Sequence, residues 1–506
     1  MIEKKQYDSE FCGSLPIHFI NSIQDYGYII VLEASNYHVI QASENAEEFS
    51  GVPVQELVGI DFNTLISDDT ASSLQTIVKK ALSNKVPFNI RLKQRTTNFN
   101  ALVHIDKEYV ILEIEEAGEE RARSFIDVFQ EVKQVSAAIE HADTVQKVCE
   151  VAVHELRKLS GFDGVLMYKF DENWNGTVIA EEKDERLEPY IGQTFPASDV
   201  PKQARNLYLK NPYRLIPNRN YKASPLYPVI NPITNSFTDL SSCNLRGVAG
   251  VHLEYMKNMG IKASMSIRVI KDEQLWGLIS CHHIEENYLN YEICSAFEWL
   301  SAVISSRISF ILSKEEYDLS TDLQHVRTKI VDRIYADDDI TSGLLSEGED
   351  VLSLFEATGV AIILKGKIET KGVVPEKNEL DNLMLWLEGK NINKVFSTNH
   401  LSGIYDDALE YAAIGSGILV IPIDSDKGDY IVCFRPEMVE TINWGGNPNE
   451  AINFEKDGKS YHPRNSFTLW KEQVTHHSLP WKDEEIYVAE SLRHFLFEFR
   501  TKQLYN

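Results

Sequence analysis

The stretch Phe195-Pro-Ala-Ser-Asp-Val-Pro201 decides how this chain is read. Taken alone it is a helix start. Pro201 suits the first helical position, where its missing N–H costs nothing, and Ser198 or Asp199 lies near the positive end. Other distinctive stretches lie downstream of it. His252-Leu-Glu-Tyr-Met-Lys-Asn-Met-Gly260 comes first, then the strand-like Leu275-Trp-Gly-Leu-Ile-Ser-Cys-His-His283. Trp444-Gly-Gly446 and Pro463-Arg-Asn-Ser-Phe467 follow much later. The 506 residues around them suggest three domains, at ~150 residues per domain. An apolar fraction of 43% against 25% charged gives each domain enough material for a core.

Fifty Lys and Arg against 76 Asp and Glu leave a net charge of -26. That argues against nucleic acid or an anionic membrane as partner, because both require a basic face. Apolar runs such as Tyr28 to Leu32 and Gly417 to Ile423 fall short of the ~20 residues that span a bilayer. The opening residues carry no apolar h-region, so no secretory signal is predicted. Cysteines at 12, 149, 243, 281, 294 and 433 show no paired spacing and suit a reducing compartment. The expectation is a soluble, acidic, cytoplasmic protein of several domains.

Residues 1–15 read as a polar arm carrying Phe11 and Cys12. Residues 16–118 alternate strand-like runs, Tyr28 to Leu32 and Tyr109 to Ile114, with a helical stretch from Ser72 to Leu82, which predicts an α+β domain. Residues 119–315 open with helical spacing from Ser124 to Leu159. Strands are predicted at Gly164 to Phe170, Gly176 to Ala180, Ala263 to Ile270 and Leu275 to Cys281. Between these strands, Asn220 to Leu245 is rich in Pro, Ser and Asn. A loop of about 25 residues inside a compact domain is usually functional or disordered, and here it points to a site.

Neither Gly nor Pro occurs between Gly277 and Gly343, and Ile293, Phe297, Leu300, Ile304 and Ile308 form a helical stripe. This reads either as one long spine, able to pack against a partner's helix, or as two helices broken near Asp318. Residues 316–506 form a third domain with strands at Gly359 to Lys365, Gly417 to Ile423 and Asp429 to Phe434. Its irregular stretch 443–481 is too apolar for a free linker, and a helix runs from Asp483 to about Gln503. The fold class is α+β throughout, three domains with antiparallel sheets joined by long helices.

Enzyme signatures are missing. The sequence has no P-loop, no dinucleotide GxGxxG, no GxSxG elbow and no HExxH helix. Cys281-His282-His283 lacks the second ligand pair of a structural zinc site, and neighbours on a strand point to opposite faces. Nothing predicts catalysis or a bound metal.

The motifs quoted above carry a resemblance. Phe195 to Pro201 resembles the PASDIP motif of phytochromes, with Val for Ile, and His252 to Gly260 resembles their HxxYxxNMG stretch. Leu275 to His283 is similar to the strand ending in CHH. Trp444 to Gly446 and Pro463 to Phe467 resemble the WGG and PRxSF motifs of the phytochrome tongue. The resemblance implies a PAS–GAF–PHY photosensory module of a bacteriophytochrome, with the tongue at 443–481. It implies a linear tetrapyrrole, biliverdin, bound covalently in the middle domain. Family members using plant-type bilins carry the attachment cysteine just before the motif histidine, where this chain has Val251. Cys12 stands where biliverdin-binding members attach theirs.

By the same resemblance, Tyr208, Arg214 and Arg246 hold one propionate, and Ser264 and Ser266 help hold the other; an arginine fork suits a carboxylate. The Asp199 backbone carbonyl and a water held by His252 meet the pyrrole N–H groups. His282 bonds the D-ring carbonyl, and Tyr168, Phe195 and Tyr255 wall that ring. Red light isomerises the C/D double bond. Asp199 pairs with Arg464 in the dark and with Ser466 afterwards, while the tongue refolds from hairpin to helix. Val248-Ala-Gly-Val251 departs from the usual Ser-Pro pair, and Ala249 removes a hydroxyl. The expected partners are a second copy of the chain and a C-terminal output, such as a histidine kinase, or a response regulator. No such output is found up to Asn506. Two rival readings are a GAF-type sensor of another small molecule and a dimerisation scaffold with a degenerate pocket.

Overall fold

The structure is a computed structural model that describes residues 20–80, 85–106, 108–117, 125–448, 452–454, 461–464 and 466–505. The arm at 1–15, with Cys12, lies outside them. The chain divides into two units, Met1–Ile311 with Asn443–Trp470, and Leu312–Ile442 with Lys471–Asn506.

In the first unit, an antiparallel sheet is built around the strand Tyr28–Glu33, which pairs with Val39–Ser43 on one side and Tyr109–Glu116 on the other. Ile30 and Leu32 face a core with Phe49, Phe62 and Leu74, whereas Ile29 and Val31 face Leu226, Leu240 and Leu245. Both faces are covered, which is why the run is apolar without alternation. The covering on the second face comes from the loop expected at Asn220 to Leu245. That loop contains a strand, Ser224–Tyr227, which pairs with Ser22–Ile23 and with Val39–Ser43. The Gln24 side-chain amide donates to the Leu215 and Asn244 carbonyls at 3.0 and 3.3 Å, and Gly247 N–H donates to Ser22 O at 2.7 Å. These bonds tie residues 22–24 to the segment 215–247.

A second antiparallel sheet runs in the order Tyr213–Ile216, Ala263–Lys271, Gln274–His283, Gly164–Phe170, Gly176–Lys183, Thr194–Phe195. The helix Val145–Ser160, capped by Thr144 Oγ1 on Lys147 N–H at 3.2 Å, packs Val148, Ala152 and Leu156 against it. Motif residues follow. After Thr194–Phe195 come a short 3₁₀ turn, Ala197–Asp199, and the helix Lys202–Lys210. Pro201 takes the cap position (φ -64°, ψ 159°), one place before the first helical residue expected for it.

Tyr291–Asp337 is one continuous helix of 47 residues, with no break at Asp318. Its stripe of Phe297, Leu300, Ile304 and Ile308 is fully buried. Ser301 Oγ donates to Arg268 O at 2.7 Å, and Ser305 Oγ accepts from Ile270 N–H at 2.9 Å, which seats this stretch on the strand Ala263–Lys271. An 18-residue window of the helix has mean hydropathy 1.2, enough by length and composition to cross a membrane. Within the window 39% is buried in protein.

Within the segment Asn443–Trp470, Ile452–Phe454 pairs antiparallel with Tyr461–Pro463, and Trp444 pairs parallel with Thr194. In the second unit, the strands Lys367–Gly372, Gly359–Leu364, Asp429–Arg435, Gly417–Asp424 and Phe396–Thr398 form an antiparallel sheet in that order. The helix Lys377–Gly389 covers one face and Asp483–Tyr505 the other.

Candidate functional site

A cavity of about 260 Å³ lies in the first unit, and Phe195, Pro196 and Ser198 to Pro201 form part of its wall. The turn is held from behind. Arg205, buried, donates to Val200 O at 2.7 Å and lies 4.5 Å from the Trp174 ring centroid, while Ala197 N–H donates to Asn175 Oδ1 at 3.3 Å. These contacts fix the backbone on both sides of Asp199. Neither Arg205 nor Trp174 stood out in the sequence, since both lie outside the quoted motifs.

Strand alternation supplies one group of lining residues. Ser264 and Ser266 sit two apart on Ala263–Lys271, and Ser280 and His282 two apart on Gln274–His283, so each pair faces the same way. His282 Nε2 lies 3.0 Å from Ser280 Oγ. That period of two was the signal for Ser280, which the sequence reading missed. The next residue, His283, turns away, with Nδ1 2.9 Å from Asp163 Oδ2. Cys281, His282 and His283 therefore do not converge.

Helical spacing supplies another. His252 and Tyr255, three apart on the helix Gly250–Asn258, both line the cavity with their rings nearly parallel at 8°. Ala249 is the cap residue and makes no side-chain capping bond. The aromatic wall is edge-to-face. Tyr168 and Tyr190 each meet Phe195 at 5.6 Å between centroids, and Tyr255 meets Phe467 at 5.1 Å. Burial holds the Tyr168 hydroxyl well above its usual pKa, so it stays protonated.

The two predicted arginines both line the cavity but have different partners. Arg214 gives its donors to the carbonyls of Asn244, at 2.7 Å, Gly247, at 3.0 Å, and Arg246. It braces the loop that carries Arg246. Arg246 is 8% exposed, and among the described residues its Nε and Nη1 have no hydrogen-bond partner. Burial, and then the repulsion of Arg214, lower its pKa to about 9. A buried guanidinium with unsatisfied donors is costly unless an anion completes it. Tyr208, Ser264 and Ser266 also line the cavity.

Burial, reinforced by His252, lowers the His282 pKa to about 4. His282 is therefore neutral at pH 7 and takes a proton only as pH falls towards that value. In histidine ¹⁵N spectra of the bilin-free chain, we expect the His282 resonances to stay in the neutral pattern from pH 8 down to pH 5. A midpoint near 6.5 contradicts the burial argument.

Asp199 and Arg464 meet directly. Arg464 Nη2 and the Tyr255 hydroxyl, at 2.8 Å, both donate to Asp199 Oδ2, with the arginine and aspartate side chains only 2% and 8% exposed. Burial raises the Asp199 pKa, and Arg464 and Tyr255 pull it back. For Arg464 burial opposes the charge, yet the aspartate outweighs it and raises the pKa. Asn258 Nδ2 donates to Arg464 O at 3.1 Å, and His462 lies 2.9 Å from Glu254. Ser466 is exposed and its hydroxyl lies 3.1 Å from that of Thr468.

Comparison with known proteins follows the same map. The family profile described as PAS fold matches residues 12–117, that of the GAF domain 144–308, and that of the phytochrome region 323–504. Cyanobacterial phytochrome B from Nostoc sp. is 35% identical over 492 residues, covering 96% of this chain and 66% of its own length. The chain thus spans just under two thirds of that curated relative. The crystal structure of a bacteriophytochrome from R. palustris superposes with a TM-score of 0.85 at 30% identity, covering 97% of this chain and 99% of that one. The wild-type photosensory core module of a Stigmatella aurantiaca phytochrome gives 0.83 at 34% identity, covering 97% and 98%. On these grounds the chain belongs to the phytochrome family, as its PAS–GAF–PHY photosensory module.

Proposed function

We propose that the chain is a cytoplasmic red/far-red photoreceptor that binds biliverdin in the cavity of its middle domain and attaches it covalently to Cys12. The observation that carries this reading is Arg246, buried on the cavity wall with two donor nitrogens unsatisfied among the described residues. A carboxylate fits that need, and biliverdin carries two. None of the five buried free cysteines among the described residues lines the cavity, and Val251 does. Ile20 also lines it. Cys12 lies eight residues before Ile20, and an extended chain of that length spans up to ~28 Å, so the arm can bring the thiol to the pocket.

The bound bilin supplies the light-driven isomerisation of its C/D double bond. The chain's residues orient and restrain it. Arg246 holds a propionate, with Tyr208 beside it, and Arg214 fixes the Arg246 loop through its backbone carbonyls. Ser264 and Ser266 face the other propionate. The Asp199 carbonyl, held by the Arg205 brace, and His252 face the pyrrole nitrogens. Neutral His282 can donate one N–H to the D-ring carbonyl, and Tyr168, Phe195 and Tyr255 limit how far that ring turns. Asp199 exchanges Arg464 for Ser466 when the tongue refolds, an electrostatic switch at a bistable segment. The domain limits that go with this reading are 16–118, 119–315 and 316–506, with the tongue at 443–481. The protein acts as a homodimer and signals to a C-terminal output such as a histidine kinase. Trp299 and Phe310, 61% and 59% exposed and eleven residues apart on one helix face, support the dimer.

The roles given to the two arginines are separable. Loss of a charge-assisted bond costs about 1.5–3 kcal/mol, so Arg246→Gln should weaken biliverdin binding roughly 10- to 100-fold. This is measured by fluorescence quenching in a Cys12→Ser background. Unchanged affinity in Arg246→Gln contradicts the propionate assignment.

A further inference from the structure

The first unit holds a separate cavity of about 160 Å³ that shares no lining residue with the bilin cavity. Lys85, Lys210 and Arg268 line it, together with the hydroxyl side chains Ser242 and Tyr291 and one carboxylate, Glu298. In a chain of net charge -26, three cations against one carboxylate is a local reversal of sign. The fold alone gathers them. Lys85 precedes the strand Val86–Arg91, Lys210 ends the helix Lys202–Lys210, and Arg268 belongs to the strand Ala263–Lys271.

Two of the cations are held firmly. Arg268 Nη1 donates to the carbonyls of Tyr208, at 3.1 Å, and Leu209, at 2.6 Å. That leaves its Nε and Nη2 without a protein partner among the described residues. Lys85 Nζ donates to Asn211 Oδ1 and lies 5.1 Å from the centroid of the Tyr213 ring. Asn211 is fixed in turn: its Nδ2 donates to Asn244 Oδ1 at 2.7 Å, and Asn244 Nδ2 donates to the Tyr213 hydroxyl at 2.7 Å. Lys210 is looser, 3.9 Å from Asp239 with its side chain 57% exposed. Glu298 acts on the charges of both Lys85 and Arg268. The other carboxylate near Lys85, Glu113, is already engaged by His104 Nε2 at 3.0 Å and by Leu245 N–H.

We propose that this cavity binds a phosphate group, as the free ion or as the head of a small phosphomonoester. The excess of positive charge over Glu298 favours a dianion over a simple carboxylate. A tetrahedral ion offers one oxygen to the Arg268 guanidinium and others to the two ammonium groups, with the hydroxyls of Ser242 and Tyr291 as further donors. The volume lies below the ~300–1,000 Å³ of sites for drug-sized ligands, which limits the ligand to a few atoms beyond the phosphate.

The test is calorimetric titration of the bilin-free 506-residue chain with inorganic phosphate at pH 7.5, with glycerol 3-phosphate and nitrate as parallel arms. The expected result is one phosphate per chain with sub-millimolar affinity, and at least tenfold weaker binding of nitrate. Tighter binding of glycerol 3-phosphate than of phosphate assigns the site to a phosphomonoester, and weaker binding assigns it to the free ion. Lys85→Gln and Arg268→Gln should each lose about tenfold or more in affinity, the worth of a charge-assisted bond. Glu298→Gln should gain affinity, because it removes the one like charge from the wall. That change lies on an exposed side chain and reads in the opposite direction, so a folding defect cannot imitate it. Lys158→Gln, on the helix Val145–Ser160, should bind as the wild type does. Absence of phosphate binding, nitrate bound as tightly as phosphate, or unchanged affinity in Lys85→Gln and Glu298→Gln would overturn the proposal. The readout does not involve bilin, so it stands or falls separately from the photoreceptor reading.

Discussion

Cys12→Ser should abolish the covalent pigment band completely while leaving the pocket able to bind biliverdin reversibly. The thiolate is the nucleophile in thioether formation, and serine offers no equivalent near neutral pH. The cavity walls carry Val251 but no cysteine among the described residues, so no second attachment point is at hand. On a denaturing gel stained with zinc, the wild type should fluoresce and the variant should not. Gel filtration under native conditions should still show pigment co-migrating with the variant. Fluorescence of the denatured variant would place the linkage on another residue and break the link between the arm and the pocket.

Arg464→Ala should loosen the tongue far more than an ordinary surface change. It leaves the Asp199 carboxylate buried with the Tyr255 hydroxyl as its remaining side-chain partner, and removing one member of a buried pair costs about 3–5 kcal/mol. The loss falls on the docking of the segment Asn443–Trp470, whose guanidinium also donates to Gly445 O and lies 5.5 and 5.3 Å from the rings of Phe195 and Phe467. If opening precedes cleavage, chymotryptic cutting at Phe467 or Trp470 should speed up on the order of 100-fold or more. Asp199→Ala should act in the same direction, and the double variant should cost less than the two singles added, because neither charge is then left alone. Additive effects, or unchanged cutting in Arg464→Ala, would show that the pair does not hold the tongue.

How much of this was legible in the sequence depends on whether the signal was local. The strands Gly164–Phe170 and Gly417–Asp424 and the terminal helix were, because periodicity and apolar runs are written residue by residue. The strand Ser224–Tyr227 was not: four residues in a Pro- and Asn-rich stretch become a strand only by pairing with residues some 180–200 positions earlier. The continuity of Tyr291–Asp337 through Asp318 was undecided, since solvated charged residues neither break nor require a helix. At the site, the motifs gathered the lining residues in one cavity. They could not tell the partners of Arg214 from those of Arg246, both on the cavity wall, because the side-chain type is the same and only the fold gathers backbone carbonyls around Arg214. Arg205 and Trp174 stayed invisible for the same reason, as their stacking joins residues 31 positions apart. The convergence of Lys85, Lys210 and Arg268 lay hidden because no spacing rule links residues so far apart.

The most direct test of the central claim is an absorption spectrum. The purified chain is mixed with biliverdin in the dark, freed of excess pigment, and recorded before and after red illumination and again after far-red. The account predicts a red-absorbing adduct whose band falls under red light while a far-red band rises, reversed by far-red light. A chain that stays colourless, or a bound pigment whose spectrum red light does not change, would contradict it.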